Sequence, residues 1–256
     1  MPRPYNSDLG KDTMFFVLRL SLLILVLCLP LTVFAQTDAL PEPERVTVTA
    51  ADGLVMVGDF YRVPAATEPL PTVLMQHMLS GNRDQWLPLI PRLLEAGFHV
   101  LTVDLRGFGE TGGTRQLETS IDDTQFWFAW LRTQPDVQAD ALALVGGSFG
   151  AVPALGGCAP EPGCLTSILI SPGDFPLLDA DMYASMSERS ILFMVGRDDN
   201  VLYDTLRMFE RTTGEAAMTV YNSSVHGTDM FRARSPQRES ATALIINWLN
   251  DHLRVE

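Results

Sequence analysis

A series of short apolar runs constrains this chain most. They lie at 72–76 (TVLMQ), 99–103 (HVLTV), 141–145 (ALALV), 167–170 (SILI), 191–195 (ILFMV) and 218–221 (MTVY). A strand with one face in water alternates apolar and polar residues, so runs without strict alternation suit strands buried on both faces. Amphipathic stretches that read as helices separate them, at 86–96, 121–132, 151–155, 204–212 and 239–252. Two further β-rich runs, 46–49 and 54–61, are joined by Ala50-Ala51-Asp52-Gly53 and read as a hairpin with Gly53 in its turn. The pattern predicts an α/β fold: a mostly parallel doubly wound sheet with helices on both faces, opened by an antiparallel hairpin. The stretch between Ile170 and Ile191 is too short for a large cap domain.

The first residues read differently. An almost unbroken apolar run, 20–33 (LSLLILVLCLPLTV), follows Arg19 and precedes Val33-Phe34-Ala35. A basic residue, a short apolar segment and small residues at a cleavage point resemble a secretory signal, so residues 1–35 are expected to be removed after Ala35. An uncleaved membrane anchor is the alternative, but spanning usually takes about 18 or more apolar residues and Pro30 interrupts this run. Met14 is a second candidate start beside Met1, because residues 1–13 carry acidic as well as basic side chains. Residues 36–45, with Pro41-Glu42-Pro43-Glu44, read as a linker, and residues 46–256 as the folded domain.

Charge and residue usage exclude several classes. With 18 basic against 31 acidic residues the net charge is -13, the wrong sign for binding phosphates, so nucleic acid is not an expected partner. Any membrane contact would run through the N-terminal segment. Lys11 is the only lysine, so beyond residue 35 no Schiff base, serine-lysine dyad or P-loop lysine can be built. Cys158 and Cys164, in CAPEPGC, are an even pair in a chain expected to be exported, and are read as a disulfide; two small buried hydrophobes are the alternative. No metal-ligand cluster is evident. Gly107, Gly109 and Gly112 fit G-x-G-x-x-G, but Asp104 and Arg106 separate them from the strand and no apolar helix start follows, so no dinucleotide or other cofactor is expected.

Gly146, Ser148 and Gly150 fit G-x-S-x-G, a pattern that common residues also produce by chance. Here a buried strand runs into it and an apolar helical segment leaves it. Small flanking residues let the backbone turn sharply enough to expose the serine hydroxyl above the sheet. A serine needs a base, and the base needs a partner that fixes its tautomer. His99 lies within a strand and reads as a core residue, and His252 in the last helix as a solvated one. His226, in a loop of small residues directly after the last strand, is the candidate base. Asp198 and Asp199, after the strand 191–195, are the candidate acids.

The order Ser148, Asp198 or Asp199, His226 resembles the α/β-hydrolase fold superfamily. The segment Gln76-His77-Met78-Leu79-Ser80-Gly81-Asn82-Arg83-Asp84-Gln85-Trp86 resembles the family's His-Gly-x segment after the third strand, and Asp104-Leu105-Arg106-Gly107-Phe108-Gly109-Glu110 its D-x-R-G-x-G turn. The resemblance spans residues 46–252 and is similar in compactness to the dienelactone hydrolase-like group, with serine where those enzymes carry cysteine. It implies that the acid is Asp199, standing three residues after Gly196. It also implies that backbone N–H groups of Leu79 and Phe149 form an oxyanion hole, although Met78 stands where the family has glycine. The implied function is an exported serine hydrolase acting on small-molecule carboxylic esters of short or medium acyl chain, at an open site bordered by Met78, Leu79, Trp86, Phe149, Phe175 and Met230. A serine peptidase of the same fold, or a noncatalytic binding protein on it, are the alternatives.

Overall fold

The computed structural model describes residues 40–79 and 81–253; the expected signal segment lies outside them. The strands are β1 (Glu44–Thr49), β2 (Val55–Tyr61), β3 (Leu70–Gln76), β4 (His99–Val103), β5 (Val137–Gly147), β6 (Cys164–Ile170), β7 (Ser190–Gly196) and β8 (Glu215–Tyr221). They form one sheet in the order β1-β2-β4-β3-β5-β6-β7-β8. β1 pairs antiparallel with β2, and β2 antiparallel with β4; every later pairing is parallel.

Both faces of the central strands are buried, as the uninterrupted apolar runs require. Leu74, Leu142 and Leu144 face one cluster, where α2 (Leu117–Leu131), α3 (Ala151–Cys158), α4 (Ala180–Ser185) and α5 (Leu202–Arg211) contribute Trp127, Leu155, Tyr183 and Met208. Their neighbours Val73, Met75, Ala143 and Val145 face the other, against α1 (Ile90–Glu95) and α6 (Arg238–Leu253). In α6, Ala241, Ile245, Leu249 and Leu253 recur every four residues and are all fully buried, which places them on one stripe against the sheet. Between β6 and β7 the chain holds only the six-residue α4, so no cap domain stands over the sheet there.

The helix expected over 86–96 is divided. A 3-10 turn covers Arg83–Trp86, and α1 begins at Ile90. Pro88 breaks the run because it lacks an N–H and restricts the residue before it, whereas Pro91 sits in the first turn of α1, where no N–H is needed. Cys158, the last residue of α3, is disulfide-bonded to Cys164, the first of β6.

The glycine-rich turn after β4 is organised by charge. The Asp104 carboxylate accepts from the backbone N–H groups of Arg83 (2.9 Å) and Glu110 (2.8 Å) and pairs with the Arg83 guanidinium, which also donates to Asp59 at 2.6 Å. A Cβ on Gly109 would stand 2.1 Å from that carboxylate. Arg106 in turn forks onto Asp123 at 2.7 and 2.8 Å. The three glycines therefore serve a compact turn closed by Gly107 N–H donating to Gly112. The Arg83, Asp59 and Asp104 side chains are nearly or wholly buried. Arg83→Ala leaves the buried Asp104 without its cation and Asp59 with Arg45 alone, and is expected to cost about 3–5 kcal/mol in chemical denaturation. A loss below about 1 kcal/mol, the scale of an exposed pair, would contradict this.

Candidate active site

The sheet order places a crevice where β3 and β5 lie side by side. The chain leaves β3 toward α1 on one face, and leaves β5 toward α3 on the other. Loops departing in opposite directions leave a gap above the C-terminal strand ends, the usual ligand position in an open parallel sheet.

Ser148 stands in that gap, on the turn from β5 into α3. Its φ is 49°, left-handed backbone that a non-glycine residue occupies only under constraint. The constraint comes from both flanks. A Cβ on Gly146 would lie 2.2 Å from the Gly150 carbonyl oxygen, and one on Gly150 would lie 2.4 Å from the Gln76 and 2.6 Å from the His77 carbonyl oxygens. The sharp turn is thus seated directly on the end of β3.

His226 reaches Ser148 from the loop after β8. Arg197 N–H donates to the Tyr221 carbonyl (2.7 Å) and Asp198 N–H to that of Ser223 (3.0 Å), lacing this loop to the end of β7. His226 Nε2 lies 2.7 Å from Ser148 Oγ, and Nδ1 lies 2.9 and 3.0 Å from the two Asp199 carboxylate oxygens. An ionised carboxylate only accepts, so the ring proton sits on Nδ1 and Nε2 is left to accept the serine proton. Of the two candidate acids, Asp199 is buried and on the histidine, while Asp198 is exposed.

Hydrogen bonding to Asp199 raises the His226 imidazole above its ordinary value, against the opposing effect of burial. Burial alone would raise the Asp199 carboxyl, but hydrogen bonds from His226 and Ser171 outweigh it and hold the group below the usual carboxylate range. Such an arrangement can withdraw a proton from a hydroxyl and stabilise the imidazolium that results.

A family model described as the alpha/beta hydrolase fold matches residues 71–212, more than half of the chain. The chain belongs to the α/β-hydrolase fold family. An uncharacterized protein of Salmonella typhimurium, YfhR, is 32% identical over 204 residues, covering 66% of this chain and 68% of that one. The Pyrococcus furiosus esterase Pf2001 superposes with a TM-score of 0.72 at 17% identity, covering 83% of this chain and 94% of its own. A dienelactone hydrolase-like promiscuous phosphotriesterase from metagenomic libraries superposes at 0.66 with 18% identity, covering 84% and 100%.

This member of the α/β-hydrolase fold family accommodates methionine at position 78 without backbone strain. The described non-glycine residues with positive φ are Ala65, Ser148 and Ser171, so Met78 lies outside the left-handed region. Its N–H donates to Gln85 Oε1 (3.1 Å), and its carbonyl accepts from Gly81 N–H (3.3 Å) and from His77 Nδ1 (2.8 Å). His77 Nε2 accepts from Leu105 N–H at 3.0 Å, which fixes the tautomer; burial lowers its pKa, and the neutral ring braces two loops. The Met78 side chain lies beside Gly147 and Gly227: a Cβ on Gly227 would stand 2.9 Å from its sulfur.

The expected rim is only partly correct. Leu79 is 46% and Phe175 36% exposed, but Trp86 and Met230 are fully buried in the core. Trp86 ends its 3-10 turn facing α1 and packs on Phe231 with ring centroids 6.2 Å apart. The Phe149 ring lies 5.8 Å from that of Phe108. Of the other histidines, His99 is buried, with Nδ1 accepting from Val63 N–H at 3.0 Å. His252 is not the solvated residue expected: it stacks on Trp248 at 4.0 Å and lies 3.2 Å from Glu215. Three residues bearing on the site had no role assigned from the sequence: Ser171, which lies in no motif, and Gln85 and Gly227, which lie in the segments that carry His77 and His226. Among the described residues no group of three or more His, Cys, Asp or Glu is placed to hold a metal, and no helix is long and apolar enough to cross a membrane.

Proposed function

We propose that this protein is an exported serine hydrolase that cleaves carboxylic esters of short or medium acyl chain. The observation that carries this reading is the continuous contact from Ser148 Oγ through the His226 ring to the Asp199 carboxylate, with the serine held on left-handed backbone. His226 Nε2 takes the hydroxyl proton as Ser148 Oγ attacks the ester carbonyl carbon. The carbonyl oxygen becomes an oxyanion, held by the backbone N–H groups of Phe149 and Leu79; one such donor typically contributes about 3 kcal/mol. As the tetrahedral species collapses, the imidazolium returns its proton to the departing alkoxide and an acyl-serine remains. Water, deprotonated by the same imidazole, then releases the acid and restores Ser148.

The absence of a cap between β6 and β7 and the exposed Leu79 and Phe175 favour small esters that enter from solvent. Esterases among the structural neighbours agree with ester chemistry. The Cys158–Cys164 disulfide and the apolar run before Ala35 support export, since such bonds persist in oxidising compartments.

The test combines p-nitrophenyl acetate or butyrate turnover with labelling by a fluorophosphonate and peptide mapping of the adduct. Turnover and a single adduct on Ser148 are expected. Only neutral His226 accepts a proton, and its pKa is raised, so kcat/KM should fall on acidification with a midpoint above the ordinary imidazole value. Protein that neither turns over nor labels would refute the reading, and faster cleavage of aminoacyl amides than of esters would transfer it to the peptidases.

A further inference from the structure

Ser171 is the first residue after β6, and nothing in the proposed chemistry uses it. It is fully buried and has a φ of 50°. Glycine is the ordinary occupant of such backbone, so a serine here carries strain that glycine would not. Its own N–H donates to the Met194 carbonyl at 2.7 Å, which ties the residue to β7.

The side chain bears on two parts of the site. Ser171 Oγ accepts from Gly227 N–H at 2.9 Å, and Gly227 directly follows His226. An oxygen that accepts this bond still has its own proton to donate. The same hydroxyl acts on the Asp199 carboxylate, which it helps to hold below the usual carboxylate range. One hydroxyl therefore joins the acid on the loop after β7 to the histidine loop after β8, from a third strand end. The carboxylate has both oxygens near Nδ1 and is otherwise held by one long bond from Val201 N–H at 3.3 Å, so its orientation is sensitive to a further partner.

We propose that Ser171 is a positioning residue of the acyl-transfer site, holding Asp199 and the His226 loop in mutual register. This rests on the assignment of Ser148, His226 and Asp199 above. A purely structural role makes a different forecast, because Ser171→Gly relieves the backbone strain and would then leave or improve both stability and activity. Positioning predicts that the two properties separate.

The experiment compares wild type, Ser171→Ala and Ser171→Gly for kcat, KM, melting temperature and rate of fluorophosphonate labelling. Both variants should lose about tenfold in kcat, the rate equivalent of one hydrogen bond to a charged group, with KM little changed and labelling slowed in step. Ser171→Gly should melt no lower than Ser171→Ala. A kcat for Ser171→Gly within twofold of wild type, or a loss confined to KM, overturns the proposal. If wild type neither turns over nor labels, the parent assignment has failed, and proton NMR then decides this one. The low-field His226 Nδ1–H resonance should be visible in wild type and lost to exchange in Ser171→Gly. An unchanged resonance in the variant overturns the positioning role.

Discussion

Ser148→Ala is expected to reduce kcat for a p-nitrophenyl ester by about a millionfold while leaving the melting temperature within a few degrees of wild type. The size of the loss follows from its mechanism. Without Oγ no acyl-enzyme forms, and catalysis falls back on water attacking an ester bound near two N–H donors. His226→Ala should lose about as much, since an unassisted hydroxyl is a poor nucleophile, and the double variant should be little worse than either single one. Stability should change little because the Ser148 side chain is only partly buried and the turn is set by Gly146 and Gly150. The measurement is steady-state turnover normalised to folded protein. Ser148→Ala retaining a tenth of wild-type activity would place the nucleophile elsewhere.

Asp199→Asn is expected to lower kcat about ten-thousandfold, and Asp198→Asn less than twofold. The two side chains differ by one position and by everything around them. Asp199 is buried, accepts from His226 Nδ1 and Val201 N–H, and is held below the usual carboxylate range with help from Ser171, whereas the Asp198 side chain faces water and only its backbone N–H is used, toward Ser223. An asparagine amide at 199 can donate to Nδ1, which moves the ring proton to Nε2, where it blocks acceptance from Ser148. The geometry survives and the proton transfer does not. A substantial loss in Asp198→Asn with none in Asp199→Asn would reverse the assignment.

The parts of the fold that were legible in the sequence are those where burial leaves a pattern. The run 99–103 coincides with β4, because all five residues are buried. β5 extends well before the apolar run at 141–145, since Gln138, Ala139 and Asp140 join the strand with side chains toward solvent and hydropathy does not register them. α4 is too short for a periodic signal; its trace was local, with Asp179 accepting from Met182 N–H at 3.0 Å as an N-cap.

The same distinction holds within the site. Ser148 was legible because the backbone of the turn itself forbids a side chain at 146 and the end of β3 forbids one at 150, which writes two glycines around it. Ser171 stands in Ile170-Ser171-Pro172, where nothing in the letters distinguishes a strained buried hydroxyl from an ordinary loop serine. Trp86 and Met230 were misplaced on the rim because apolar residues in site-bearing loops can turn inward as readily as outward, and these two complete the core.

Met78 and Gly227 act as one volume divided between two loops. The methionine sulfur occupies the space a Cβ at 227 would need, and a φ of 55° at Gly227 already disfavours a side chain there. Size can therefore be traded in one direction only. Shortening position 78 opens room beside Ser148 and His226 without altering either, so under the proposed ester chemistry it is the first place to alter which acyl groups enter.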